Sequence, residues 1–333
     1  MNTIVSDLCA LCTAGDIAAV VSERLRGYTD EVRQDNMGNV LAIRRHSDPD
    51  APTVMLEAHM DEVGFLVTRI DDNGFVRVDK CGSPDERVLA GQRVLIDGQY
   101  PGVFCSVPPH MLREGAKRPA FEDMGIDAFM PADEARQKIA VGSRVSFAPA
   151  EPHLLGASRI CAKSLDDRAG VAAILYALRR IKEPRCHIAV AICVQEELGC
   201  RGAAVATRGL CPDEALVTDV SFALTPDADP VKCGKLSAGV MIGISPVLDE
   251  RVTKKLFSLA EEHKLPYQTE VMGGSTGTDA DSISKTATGV KTGLLSIPER
   301  YMHTPNEIVD VRDIAAVGDL MAVYCEQGGV GRG

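Results

Sequence analysis

The stretch LEAHMDEVGFLVT, residues 56–68, lies where two textures of sequence meet. Upstream, APTVMLEA (51–58) is an apolar run of strand length that stops at His59, Asp61 and Glu62. Downstream, VGFLVTRIDDNGFVRVDK (63–80) alternates apolar and polar residues around Asn73-Gly74, the pattern of a β-hairpin closed by a tight turn. An unbroken apolar run suits a strand covered on both faces, whereas alternation suits a strand with one wet face. A run ending in an imidazole and two carboxylates thus marks the end of a buried strand and a place where polar chemistry can collect.

Outward from this junction the two textures extend in both directions. Residues 1–28 read as a helical lead-in, with GDIAAVVSERLRGY at helical spacing, and NMGNVLAIRR reads as a strand after a turn. From about Asp71 to Pro152, short β-like pieces (RVLIDG, PGVFCSV, GSRVSFAP) are separated by Gly and Pro, with one helix near PADEARQKI. Beyond them helix and apolar strand alternate: DDRAGVAAILYALRRIK, CHIAVAICV, RGAAVATRG, EALVTDV, DERVTKKLFSLAEEH, TGLLSIP, VRDIAAVGDLMAVYCEQ. The expected fold is α/β, a mostly parallel mixed sheet with helices on both faces, built from residues 1–70 and 155–333 and interrupted by an all-β insert at 71–154.

Composition narrows the function. The chain has 333 residues, 45% hydrophobic and 25% charged, with no apolar stretch near the roughly 18 residues of a membrane helix. The start, MNTIVSDLCALCTAGD, has no basic segment and carries Asp7 among its apolar residues, which fits a first helix of the fold better than a signal peptide. Eleven cysteines, an odd number scattered singly, point to buried thiols in a reducing compartment, with the cytoplasm as the expected location. Cys9 and Cys12 in CALC have no second pair to complete a zinc site and are expected to pack in the core. A net charge of -11 without a basic block argues against nucleic-acid or anionic-membrane partners.

Residues with ligand chemistry follow the apolar runs. His59 and Asp61 follow TVMLEA, Glu196 and Glu197 follow HIAVAICVQ, Asp219 follows EALVT, and His303 follows TGLLSIPERYM. Asp166 and Asp167 precede an amphipathic helix. Strand ends of an α/β sheet share one edge, so these groups can converge. Two histidines with several carboxylates form the donor set of a two-ion site for zinc, cobalt or manganese. Asp166 as bridge, His59 and Asp219 on one ion, and Glu197 and His303 on the other meet the ligand count. Glu196 is then the general base, and Asp61 holds the tautomer of His59. GGSTGTDAD (273–281) lacks the GK[ST] of a phosphate loop and reads as a turn beside the site, and Ser164 and Ser275 belong to no nucleophile motif.

AHMDEVGF, AKSLDDRAG, VQEELGCRGA, VTDVS, GGSTGTDAD and IPERYMHTPNEIV, with GNVLA, VLAGQRV and PPHML, occur in an order that resembles the dinuclear-metal TET aminopeptidases. That group includes glutamyl, lysyl and deblocking aminopeptidases. The resemblance implies an exopeptidase that removes N-terminal residues from short peptides. It implies metal ligands at His59, Asp166, Glu197, Asp219 and His303, a base at Glu196 and a supporting aspartate at Asp61. It further implies two divalent ions per subunit, a β-barrel, PDZ-like dimerisation insert, and dimers assembling into hollow tetrahedral dodecamers. The chain departs at CGSPDER (81–87), where many relatives read Gly-Gly-Trp-Asp-Pro-Arg, and at DMGID (123–127), where relatives often carry an aspartate before Ile-Gly; both lie away from the ligands. Some relatives are labelled endoglucanase, but a chain without Trp whose carboxylates serve as ligands is a poor glycosidase. An amidohydrolase acting on acylated amino acids and an assembly protein without turnover are the remaining alternatives.

Overall fold

The computed structural model describes residues 2–107, 109–111 and 120–331, so Pro108 and Leu112 of the PPHML segment lie outside the described residues. Two compact units emerge, one from Met1–Asp61, Glu151–Met302 and Asn306–Gly333, the other from Glu62–Ala150 with His303–Pro305.

The first unit opens with helices α1 (Asn2–Cys12) and α2 (Ile17–Leu25), followed by strands β1 (Glu31–Gln34), β2 (Val40–Arg44) and β3 (Thr53–His59). Helix α1 buries Ile4, Leu8, Leu11 and Cys12, one helical face, and Cys9 is half-buried beside it. Asp7 is also buried there, paired with Arg24 at 3.0 Å and with Arg179, which ties α1 to two other helices and supplies the positive charge that a buried carboxylate needs.

The second unit is a closed barrel in the order β4-β5-β8-β7-β6-β9. Its strands are β4 (Gly64–Ile70), β5 (Val76–Cys81), β6 (Arg93–Ile96), β7 (Tyr100–Phe104), β8 (Ile126–Asp127) and β9 (Arg144–Phe147), with helix α3 (Ala132–Lys138) in the connection before β9. The expected hairpin at Asn73-Gly74 joins β4 to β5, with Asp71 accepting hydrogen bonds from the Asn73 and Phe75 N–H groups. Residues to 70 were expected in the α/β domain. Strand β4 instead belongs to the barrel, because its alternation turns Phe65 and Val67 into the barrel interior. Phe65 lies 5.0 Å from Phe104 and 5.9 Å from both Phe121 and Phe147, centroid to centroid.

The chain re-enters the first unit through β10 (His153–Leu155), β11 (Arg159–Ala162) and α4 (Leu165–Arg180), then β12 (His187–Cys193), α5 (Arg201–Leu210) and β13 (Glu214–Phe222). It closes with β14 (Val240–Ile244), α6 (Glu250–Glu262), β15 (Tyr267–Val271), α7 (Ala280–Ile283), β16 (Lys291–Arg300), β17 (Glu307–Asp310) and α8 (Val311–Glu326). The sheet runs β1-β2-β12-β3-β13-β16-β17-β11-β10, with β14 and β15 branching from β16. Its four central strands, β12, β3, β13 and β16, are parallel, and the flanks on both sides are antiparallel. Alternation along β3 sends Val54, Leu56 and Ala58 into the layer under α1, α4 and α8, and Met55 into the layer under α5 and α7. Among the described residues no helix is long and apolar enough to cross a membrane.

Truncating Phe65, 2% exposed at the centre of the barrel's aromatic cluster, leaves a cavity that rigid strands cannot fill. Phe65→Ala is expected to cost about 3–5 kcal/mol, read from urea unfolding followed by circular dichroism. A change below about 1 kcal/mol would mean that the barrel core relaxes around the gap.

Candidate metal centre

Strand β3 delivers His59 at its carboxyl end with the ring 2% exposed. Its Nε2 is 3.0 Å from Asp166 Oδ1 and 3.7 Å from Asp219 Oδ1, and its Nδ1 is 3.5 Å from Asp61 Oδ1. His59, Asp166 and Asp219 therefore come together as the sequence reading expects, with ligand atoms within 4.8 Å of one another. Asp166 and Glu197 also bring carboxylate oxygens within 4.8 Å. One imidazole nitrogen and carboxylate oxygens are a donor set for zinc, cobalt or manganese, so the residues fit a divalent ion.

Each ligand is held by its backbone. Asp166 begins the α4 segment in a non-helical conformation, because the Leu165 and Asp166 N–H groups donate to Glu307 Oε2 at 2.6 and 3.3 Å. Asp167, fully buried, turns the other way and accepts from Gly170 N–H at 2.9 Å, which caps the regular part of the helix. A Cβ at Gly170 would stand 2.2 Å from Asp167 Oδ2, so only glycine leaves room for that cap. Just before β2, Asn39, fully buried, donates to the Gly202 carbonyl at 3.0 Å and accepts from Val194 N–H at 2.9 Å. A Cβ at Gly202 would lie 2.1 Å from the Val194 carbonyl, so α5 approaches the end of β12 this closely only through glycine.

Glu196 and Glu197 sit in the turn so fixed. Asp61 Oδ1 accepts from Glu196 N–H at 3.1 Å, and Asp61 Oδ2 accepts from Glu197 N–H at 3.3 Å. The sequence reading gives Asp61 only to the imidazole; the structure adds a clamp on the peptide that carries both glutamates. The Glu196 carboxylate receives a hydrogen bond from Cys200 Sγ at 3.4 Å. His303 groups with the second unit, where its Nδ1 is 2.8 Å from the Ser83 carbonyl and its own carbonyl accepts from Asp85 N–H, so the CGSPDER stretch lies against this candidate ligand rather than away from it as the sequence reading expects.

Other polar residues escaped the sequence reading. Glu307 fixes the Asp166 loop, Asn39 fixes the Val194 turn, and Glu57 and Asp279 are both buried, Asp279 coming from the stretch read as a turn. Of these only Glu57, a carboxylate inside an apolar strand, breaks a pattern visibly enough to be found from sequence.

Burial governs the protonation of the centre. It pushes Glu196 up to about 8 and Asp219 up to about 7, the latter against the lowering pull of His59. Burial alone would lower the imidazole of His59, but hydrogen bonding to Asp166, Asp219 and Asp61 raises it well above its ordinary range. All three groups bind protons more tightly in the folded, metal-free chain than in the unfolded one, so they favour folding at low pH and lose that contribution as pH rises through the folded values. Chelator-treated protein is expected to lose thermal stability between about pH 4 and pH 8, and added zinc or cobalt is expected to reverse the loss by binding the deprotonated ligands. Melting curves across that range, with and without metal, check the sign; a stripped protein that gains stability with rising pH would contradict it.

Comparison with known proteins agrees with this geometry. A family model described as M42 glutamyl aminopeptidase matches residues 38–320. The lysyl aminopeptidase of Pyrococcus furiosus is 32% identical over 306 residues, 90% of this chain and 87% of its own. Aminopeptidase APDkam598 from the archaeon Desulfurococcus kamchatkensis superposes with a TM-score of 0.91 at 32% identity, covering 98% of this chain and 95% of that one. PhTET1-12s, a dodecamer in its asymmetric unit, gives 0.83 at 25% identity, covering 96% and 98%. The chain belongs to the M42 glutamyl aminopeptidase family and is a hydrolase of peptide bonds.

Proposed function

We propose that the protein is a dinuclear metal-dependent aminopeptidase that removes N-terminal residues from short peptides. The observation that carries this reading is the meeting of His59, Asp166 and Asp219 beside a glutamate pair whose backbone is clamped by Asp61. Asp166, His59, Asp219, Glu197 and His303 would hold the two ions, with Asp166, close to both His59 and Glu197, shared between them. Supporting His303 as a ligand, donation of its Nδ1–H to the Ser83 carbonyl selects the tautomer in which Nε2 binds metal. Zinc or cobalt suits the nitrogen and oxygen donors best, and manganese is also compatible.

When bound, the ions polarise the scissile carbonyl and lower the pKa of water. Glu196 takes the proton of the attacking water and returns it to the leaving amine, a role that suits a carboxyl already raised by burial. Asp61 keeps that carboxylate in place through the peptide and leaves its reach to the Cys200 hydrogen bond. The barrel serves as the dimerisation domain, and dimers build a dodecamer that admits short peptides; the support is the similarity to PhTET1-12s. Eleven cysteines, none of them in a disulfide, support a reducing, cytoplasmic setting.

Hydrolysis of a panel of aminoacyl-p-nitroanilides by metal-stripped protein, with zinc, cobalt or manganese restored singly, tests the reading. Release from one class of residue, dependent on metal, is the expected result; silence across the panel with metal bound would instead favour hydrolysis of acylated amino acids or loss of turnover. Glu196→Gln is expected to keep metal and lose about 10²- to 10⁴-fold in kcat, as removal of a general base does. Asp61→Ala, which frees the Glu196 and Glu197 N–H groups, is expected to cost about 10- to 100-fold in activity or metal affinity. Normal turnover in both variants would remove these residues from the mechanism.

A further inference from the structure

Behind the centre just described lies a second group of donors. In the parallel pairing of β3 with β12, Glu57 stands opposite Ala191 and His59 opposite Cys193. Side chains alternate along a strand, so Met55, Glu57 and His59 share a face with Ala189, Ala191 and Cys193, the face covered by α5 and α7. Asp279 reaches the same place from the loop before α7. Glu57 and Cys193 are 0% exposed and Asp279 is 2% exposed. A carboxylate oxygen from each acid and the Cys193 sulfur lie within 4.8 Å of one another.

Among the described residues, no donor makes a hydrogen bond of good geometry to either oxygen of Glu57 or of Asp279, and the two carboxyls lie against each other and against Cys193. Two carboxyl groups facing each other in an apolar layer require something positive between them, because uncompensated buried charge is far costlier than a paired one. A shared proton would serve two acids alone. The third member of the group is a thiol, which as S–H is only a weak donor to Glu57 and as thiolate completes a sulfur and oxygen donor set for a borderline-soft ion. Cys200, half-buried, lies within the same reach of Asp279 on the side of Glu196.

We propose that Glu57, Cys193 and Asp279 form a separate structural site for a zinc-like divalent ion, distinct from the catalytic pair. The ion pins the loop carrying Asp279 to the ends of β3 and β12, and so stiffens the layer on which the turn of Glu196 rests. The site shares no ligand with the proposed catalytic pair and stands independently of that reading.

Cobalt(II) distinguishes the two sites by colour, because a cobalt–thiolate bond gives a near-ultraviolet charge-transfer band and the catalytic ligands contain no sulfur. Full-length protein loaded with cobalt and freed of excess is expected to show the band and to hold one ion per chain more than the catalytic pair accounts for. Cys193→Ser is expected to abolish the band and remove one cobalt. His59→Ala with Asp219→Ala is expected to lower the cobalt content and leave the band, and this holds whether the catalytic site takes one ion or two. Asp279→Asn, a near-isosteric change, repeats the test should Cys193→Ser fail to fold. Absence of the band at saturating cobalt would overturn the proposal in favour of a shared proton, and so would a band that survives Cys193→Ser or disappears only with Cys200→Ser.

Discussion

Negative charge at the carboxyl ends of buried parallel strands is the constraint on which the rest of the molecule depends. His59 faces Asp166, Asp219 and Asp61 with its ring almost fully buried, and one imidazolium cannot balance the carboxylates around it. Without a further cation the cluster holds protons instead, which is why Glu196 and Asp219 stand so far above the usual carboxylate range. A divalent ion bound there would replace those protons and free the carboxylates. On the proposed function, folding, metal uptake and the readiness of Glu196 as a base are then expressions of one charge balance.

Holding such a cluster in register falls to residues that touch the backbone rather than the ligand atoms. Glu307 collects two N–H groups at the start of α4, Asp61 collects two at the glutamate pair, and Asn39 bolts the end of β12 to α5. Gly170 and Gly202 permit the two closest approaches. A general base contributes only when its carboxylate is within hydrogen-bond reach of the proton it takes, so these contacts decide whether the centre is precise enough to act.

Much of this was legible in the chain because two periodicities carry it. Unbroken apolar runs mark the central strands, and the residue after each run falls on the edge where ligands meet, which is how His59, Glu196 and Asp219 stand out. The side branch was harder to see, since β14 and β15 are short, pair in parallel with each other and reach the sheet only through an antiparallel contact of β14 with β16. Strand β4 reads as one arm of a hairpin, but its place in the barrel rather than the α/β domain becomes plain only when Phe65 and Val67 are given an interior to face. Glu307, Asn39 and Asp279 were illegible for a different reason. Each acts on groups more than a helix away in the chain, and nothing in the local sequence announces such a partner.

The place of β3 in the sheet also bears on how the chain reaches its fold. Its two neighbours are β12 and β13, which pair with it through residues 187–193 and 214–217, and both are made only after the whole barrel segment has been synthesised. The barrel contains two hairpins, β4-β5 and β6-β7, closes by pairing β4 with β9 within its own segment, and has an aromatic core of its own, so it can form before β12 and β13 are made. Strand β3, apolar and with neither parallel partner yet made, has to wait through that interval. The segment that positions the first ligand is thus also the one most exposed to misassociation during synthesis. Because β3 ends in His59 and Asp61, the chain carries polar groups next to its most vulnerable strand from the moment that strand appears.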